Sequence, residues 1–416
     1  MKYVGLDFGT ANTSAAKVYE GKTEVITFED GSGSMPSAAF FDFDENSFHI
    51  GQAAFDRYYF GDNGRFLRSF KSALGTSTID HEIRIKQDLF TIKDITQQYI
   101  AKVLNRVETN IGEKLDSLVV GRPVQFVDDD PVADKNAQDQ LNDVVAGLGV
   151  QHIEFQLEPI AAALNYGVTV NGEETVLVID IGAGTSDFSV VKFNGAGDIH
   201  TLDSKVISNC GVHIGGNDFD KVVTLNRVMP HLGYQCRFKH RPDLETPKSY
   251  FLHASSWHQI DFLYDRKVIN ALREISPQMQ DPSTIDRFID VILKRKVHLI
   301  LAEIENVKKQ FSNKDEVLIN LPFIDSGLNL ELNNHDFDLL INPMSEKIVN
   351  TANQAILDAG LTKADINTVY ITGGSMGLRH LFNMVVNEFS SSNVIEGDKS
   401  TAVARGLALD ASQKFS

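Results

Sequence analysis

Two short stretches of the sequence put an aspartate where a phosphate and a metal ion could be handled together. Val4 to Ser14 reads VGLDFGTANTS, and Leu177 to Ser186 reads LVIDIGAGTS. In each, an Asp (Asp7 or Asp180) closes an apolar run, a Gly follows two residues on, and small or hydroxyl residues come next. Gly, Thr and Asn at a tight turn expose backbone N–H groups and hydroxyls to a phosphate, and Gly admits close backbone approach. A bare carboxylate repels phosphate, so the pattern makes chemical sense with magnesium between them, an ion held by one or two carboxylates together with phosphate oxygens. The alternative at either turn alone is an Asp bonding its own backbone. The repetition favours phosphate binding, and predicts two related halves that each give one strand-turn-strand unit to a shared cleft.

Other phosphate motifs fail. Gly21-Lys22-Thr23 has the end of a P-loop, but Ala16 stands where its first Gly is needed and Glu20 stands where phosphate would approach. Gly182-Ala183-Gly184 lacks the third Gly of a dinucleotide fingerprint, Asp187 taking that place. Further glycine turns occur at 211–218, containing Gly215, Gly216 and Asn217, and at 372–377, containing Gly373, Gly374, Ser375 and Met376. The second follows an apolar run, as a strand-to-loop nucleotide contact would. Glu305, Lys308, Lys309 and Ser312 share one polar face of a helix at offsets of three, four and seven, on a different face from an apolar stripe of Ile300, Ile304, Val307 and Phe311. That face is either an ordinary ion-paired surface or a set of donors and acceptors for a nucleoside.

Short apolar runs at Val4–Leu6, Leu118–Val120, Val176–Ile179 and Val369–Ile371 read as buried strands, and the patterns at 94–108, 134–147 and 286–311 read as helices. Their alternation predicts an α/β protein with parallel or mixed sheets. The chain has 416 residues, enough for two or three domain-sized units, and a net charge of −17. Such a charge disfavours binding to nucleic acid, and the basic cluster Arg237, Lys239, His240 and Arg241 reads as a solvated loop. Two cysteines without CxxC spacing suggest neither a disulfide framework nor a zinc site, and no apolar run is long enough for a bilayer. A soluble, cytoplasmic, monomeric protein with no membrane contact is expected.

Taken together, these segments resemble the ATPase of the seventy-kilodalton heat-shock chaperones, within it the shorter YegD-like group, over about Gly5 to Gly406. Beyond the two phosphate loops, Met35-Pro36-Ser37 is similar to the family's Pro-Ser segment, Lys71-Ser72-Ala73-Leu74-Gly75 to the segment whose Lys reaches the terminal phosphate, and Gly121-Arg122-Pro123 to the region of a switch proline. Leu157-Glu158-Pro159-Ile160-Ala161-Ala162-Ala163 matches a family helix start. The resemblance implies the actin-like ATPase fold, with a duplicated ribonuclease H-like motif and two lobes around a central nucleotide cleft. Lobe I would comprise residues 1–169 and 395–416, with 39–106 its upper subdomain; lobe II would comprise 170–394, with 221–342 its upper subdomain.

It further implies ATP or ADP with magnesium, potassium being an open addition, and slow attack of water on the γ-phosphate. Asp7, Glu158 and Asp180 would hold the metal through water, while Lys71 and Thr185 would position the terminal phosphate and the water. Gly9, Thr10, Ala11 and Asn12, with Gly182, Ala183 and Gly184, would line the phosphates. Gly215, Gly216, Asn217, Glu305, Lys308, Lys309, Ser312, Gly373, Gly374, Ser375 and Met376 would hold the adenosine. Ala11 and Asn12 replace the family's usual Thr and Tyr, Lys309 and Gly377 replace two Arg residues that bracket adenine, and Ser400 replaces an Asp. Arg379 is a candidate substitute for the second Arg. Only ten residues follow Gly406, so no peptide-binding domain is expected, and no protein partner or exchange factor is assigned. A nucleotide-binding switch without useful hydrolysis, a small-molecule kinase with Asp187 as base, and a filament former are the competing readings.

Overall fold

The apolar runs become strands because their neighbours cover both faces: Val176, Leu177, Val178 and Ile179 are all 0 % exposed, as expected for a run without polar alternation. The computed structural model describes residues 3–28, 31–196 and 203–415. It divides into two compact units, one of Met1–Gly215, Lys347–Met376 and Asn383–Ser416, the other of Gly216–Glu346 and Gly377–Phe382.

In chain order the first segment carries β1 (Tyr3–Phe8), β2 (Asn12–Tyr19), β3 (Lys22–Val25), β4 (Ser34–Pro36), β5 (Ala38–Asp42), β6 (Ser47–Ile50), α1 (Gln52–Phe60), β7 (Gly64–Arg68), β8 (Glu82–Ile85) and β9 (Asp88–Thr91). It continues through α2 (Ile92–Ile111), β10 (Ser117–Arg122), α3 (Pro131–Ala146), β11 (His152–Leu157), α4 (Glu158–Gly167), β12 (Asn171–Ile181), β13 (Ser186–Ala196) and β14 (Asp203–Val212). Next come α5 (Gly216–Val223), α6 (Lys248–Ala254), α7 (Arg266–Ile275), α8 (Pro282–Leu293), α9 (Val297–Gln310), β15 (Glu316–Asn320) and β16 (Asn329–Asn333). The last stretch holds α10 (Asn334–Asp358), β17 (Thr368–Thr372), α11 (Arg379–Glu388), β18 (Asn393–Glu396) and α12 (Ala402–Phe415).

The first unit repeats one sheet plan. Its first large sheet runs β11-β10-β1-β2-β3 and its second β18-β17-β12-β13-β14. In both, the opening hairpin is antiparallel (β1 with β2, β12 with β13) and the two strands beyond it are parallel (β10 and β11, β17 and β18). The duplication expected from the two Asp-bearing hairpins is therefore a duplication of a five-strand unit. Helices follow the last strand of each plan, α4 after β11 and α12 after β18, and these two pack on each other. At their crossing a Cβ on Gly406 would lie 1.7 Å from the Ala161 carbonyl oxygen, so only Gly permits the approach. α2 starts with a reciprocal capping box between Thr91 and Asp94 and stops at Gly112 in the left-handed region.

The second unit is mainly helical, with the β15–β16 hairpin at one place in the chain. Phe251 stacks on Phe288 and Phe311 on Phe337 in its core. One expectation is corrected here: the helical pattern at 286–311 is two helices. Arg295 takes φ 53, and the N–H groups of Arg295 and Lys296 bond back to Ile292 and Val291, which closes α8 before α9 begins. This is a Schellman closure on a non-Gly residue, and helical periodicity continuing on both sides conceals it. The basic residues Arg237, Lys239, His240 and Arg241 are exposed, as a solvated loop requires, and Arg241 pairs with Asp243. Among the described residues no helix is long and apolar enough to cross a membrane.

Candidate functional site

Both Asp-bearing turns belong to the first unit and meet there. β1 delivers Asp7 at its end, with Gly9, Thr10 and Ala11 turning into Asn12 at the start of β2. β12 delivers Asp180, with Gly182, Ala183, Gly184 and Thr185 turning into β13. A Cβ on Gly184 would lie 2.8 Å from the Thr10 hydroxyl oxygen, so the two turns touch and a side chain at 184 would part them. Gly215 packs against the same second turn, where a Cβ would sit 2.5 Å from the Ala183 carbonyl carbon. The loop after β17 closes on it as well: Ser375 donates to the Gly182 carbonyl at 2.8 Å, and beside it come Gly374 and the buried Met376. Gly373 has φ +90, and a Cβ there would lie 2.3 Å from the Ile181 carbonyl oxygen and 2.7 Å from Asp180 Oδ1. Glycine is required at 373 both by conformation and by space.

Lys71 arrives from the turn Phe70–Ala73 after β7, and Glu158 is the first residue of α4. Their side chains meet at 2.5 Å with 7 % and 12 % of their surface exposed. Lys71 is thus a buried, ion-paired lysine rather than a surface one. Around this pair lie Asp7, Asp180 and Asp187, so four carboxylates share one ammonium. The electrostatics follow from that count. Burial first, and then the charge of Glu158, pushes the Asp7 and Asp187 carboxyls up to about 7. The same causes, with Asp187 and Asp7 added, raise Asp180 well above the carboxylate range. Burial opposes the charge on Lys71, yet Glu158, Asp7 and Asp187 outweigh it and hold the ammonium above its ordinary value. Crowded, water-poor carboxylates of this kind are a hard-oxygen donor set suited to a small dication.

Asp187, at 1 % exposure, is the member of this group that sequence reasoning weighed only as an alternative base. It accepts a hydrogen bond from the Val124 N–H at 2.6 Å, and the Thr185 hydroxyl also bonds to it. A carboxylate so engaged is a fixed anchor between β13 and the segment after Arg122-Pro123. Its signal in the sequence was only its place seven residues after Asp180.

The remaining predicted residues lie in the second unit. Gly216 and Asn217 open α5, and Lys308 of α9 donates to the Gly216 carbonyl at 2.8 Å and to Asp220 at 2.7 Å. Asp220, 2 % exposed, had not been singled out; its spacing of one helical turn after Gly216 was the available clue. Lys309 pairs with Glu305 at 2.8 Å while 69 % of its side chain stays exposed. The stripe Ile300, Ile304, Val307 and Phe311 is buried, as expected for α9. Ser312 lies just past the end of α9, with its Oγ 3.5 Å from where a Cβ on Gly377 would stand. Arg379 is committed elsewhere: its guanidinium donates to the carbonyls of Phe311 and Lys314 and pairs with Asp315 at 2.6 Å.

Another acidic group, Asp42, Glu45 and His49, has its ligand atoms close together, but Arg57 already fills it, bonding Asp42 at 2.9 Å and Glu45 at 2.8 Å. A family model described as Hsp70 protein matches residues 73–250 and 264–413, well over half of the chain.

Proposed function

The chain belongs to the Hsp70 protein family, and we propose that its buried carboxylate and lysine site binds Mg-ATP and hydrolyses it slowly, its lobes opening and closing with nucleotide. Membership carries the actin-like ATPase fold and makes this an ATP-binding, chaperone-like protein. The YegD-like subtype, the magnesium requirement and a cytoplasmic setting are part of the proposal. The observation that supports it best is the meeting of both Asp-bearing turns with Lys71 and Glu158 in one unit. Magnesium, when bound, would be held by Asp7, Glu158 and Asp180 and would neutralise phosphate charge.

The chain's own groups do the rest. Backbone N–H groups of Gly9 to Asn12 and Ala183 to Thr185 would receive the phosphates, the Gly182 N–H being spent on the Thr185 carbonyl, and the Thr10 hydroxyl stands at the contact of the two turns. Lys71 places its ammonium at the terminal phosphate, exchanging its present bond to Glu158 for phosphate oxygens. Thr185 orients the attacking water, whose oxygen forms a bond to the γ phosphorus as the bond to the β–γ bridging oxygen breaks. Burial and the charge of Glu158 push the Asp187 carboxyl up to about 7, and its ionised form would be suited to take the proton the water loses. Positioning and charge neutralisation dominate such a reaction. On the adenosine side, Glu305, Lys308 and Ser312 would hold the nucleoside, with Lys309 a weaker stacking cation than Arg.

Phosphate release by the wild type alone, abolished in Asp180→Ala, supports the ATPase. Release that depends on an added sugar or polyol, with label moving to it, sinks it in favour of the kinase.

A further inference from the structure

The Pro-Ser segment has no role in the scheme above, yet Ser37 makes more connections than any loop residue near the site needs for its own turn. It is 0 % exposed and uses every polar group it has. Its N–H donates to the Ala11 carbonyl at 2.8 Å, and its hydroxyl donates to the Gly9 carbonyl at 2.7 Å. Its carbonyl accepts the Ser69 N–H at 3.2 Å. The Thr13 hydroxyl stands 2.9 Å from Ser37 Oγ, and the Tyr99 hydroxyl shares its proton between Thr13 Oγ1 at 3.0 Å and the Pro36 carbonyl at 3.1 Å. With Ser37 donating to Gly9, the relay has one consistent direction: Tyr99 to Thr13 to Ser37 to Gly9.

Through Ser37 this network reaches the site on two sides. Gly9, Ala11 and Thr13 belong to the first phosphate turn and its outgoing strand. Ser69 starts the turn Phe70–Ala73 that carries Lys71, and it is held at φ 61 and ψ 38, a left-handed conformation that a non-Gly residue adopts only when its surroundings impose it. Its N–H bond to Ser37 is one of those constraints, and its own carbonyl then receives the Ser72 N–H at 3.1 Å to close the turn. Thr13 at 1 %, Ser69 at 0 % and Tyr99 at 0 % exposure leave water no entry to substitute for a lost bond.

We propose that Ser37 is a positioning residue that fixes the first phosphate turn and the Lys71 turn in one register, so that Lys71 meets the terminal phosphate. This rests on the Mg-ATP reading above. The bonds to Ala11 and from Ser69 use the Ser37 backbone and survive substitution, whereas the bond to Gly9 uses the hydroxyl, so removing the hydroxyl loosens Gly9 relative to the Lys71 turn while the sheet itself remains. The consequence falls on the phosphate that Lys71 touches, and ATP suffers more than ADP.

The test is calorimetric titration of Mg-ATP and Mg-ADP into wild type, Ser37→Ala, Ser37→Thr and Ile83→Ala, with the melting temperature of each. Ile83 is buried in the same core cluster but makes none of these bonds, so Ile83→Ala reports stability loss alone. The expected result is that Ser37→Ala weakens ATP by about tenfold and ADP by less than about threefold, the scale of a small misplacement of a positioned group. Ser37→Thr, which restores the hydroxyl, recovers most of the ATP affinity. Equal weakening of ATP and ADP in Ser37→Ala, or a pattern matching Ile83→Ala, overturns the proposal while leaving the nucleotide reading intact. Wild type that binds no Mg-ATP overturns the nucleotide reading, and this inference with it. Should Ser37→Ala fail to fold, Tyr99→Phe carries the test, since it removes the relay's first donor and keeps the ring: a selective loss of ATP affinity of about threefold is expected, and no selective loss overturns the proposal.

Discussion

Removing a charge from a site built to bind one should stabilise the empty protein, and Asp7→Asn tests this with a defined sign. Asp7 lies among Glu158, Asp180 and Asp187 with Lys71 as the one cation, and its carboxyl rises from 3.8 to about 7. A carboxyl whose folded value lies above its unfolded value favours folding below the unfolded value relative to higher pH, and that advantage is lost as pH climbs through about 7. The step corresponds to roughly 4 kcal/mol at about 1.36 kcal/mol per pH unit. Water reaching the part-exposed side of Asp7 trims this to about 2–3 kcal/mol. Asn keeps an oxygen for the Ser14 hydroxyl, which now donates to Asp7 at 3.4 Å, and carries no charge. Thermal unfolding in a chelator without nucleotide should therefore show Asp7→Asn melting about 3–5 °C above wild type near pH 8, with the gap closing toward about pH 4, where both side chains are neutral in the fold. The same variant should bind Mg-ATP more weakly, which makes the carboxylate a functional cost borne by stability. A variant that melts lower than wild type near pH 8, or a gap that ignores pH, refutes the idea that crowded buried charge strains this site.

Lys71→Met leaves Glu158 and its neighbours without their cation, so it should lower the melting temperature near pH 8 by the equivalent of about 2–4 kcal/mol. The loss should shrink near pH 5 as the carboxyls take up protons, and melting curves at the two pH values check this. Gly373→Ala should cost about 1–3 kcal/mol for its left-handed backbone alone. Since the new Cβ would press on Ile181 and Asp180, denaturant melts should show that loss together with weaker Mg-ATP binding in calorimetry.

Much of the fold was legible because its signals are local. Strand, turn and strand with Asp at the turn repeats in the sequence, and the duplicated five-strand sheets grow from those two hairpins. Val176 to Ile179 read as a buried strand from apolarity alone, Asp180 was reached from its turn and Lys71 and Glu158 through the family resemblance, and the three converge. What the sequence concealed is what depends on long-range contact. The break between α8 and α9 rests on one left-handed Arg295, which leaves the apolar spacing on either side undisturbed. Asp220 matters through Lys308, 88 positions away, and Asp187 through the Val124 N–H, 63 positions away. Arg379, a candidate for the missing adenine cation, is drawn to the carbonyls at the end of α9. Nothing in its sequence neighbourhood announces that competition. Ser37 is of the same kind: an ordinary serine by type, it becomes a junction because Gly9, Ala11 and Ser69 come to it from distant segments.

The most direct test of the central claim is titration of Mg-ATP into wild type and Asp180→Ala. The account predicts saturable one-site binding by wild type and a loss of at least about tenfold in the variant, since a carboxylate of the metal set has gone. Absence of Mg-ATP binding by wild type, or equal affinity in the two proteins, would contradict it.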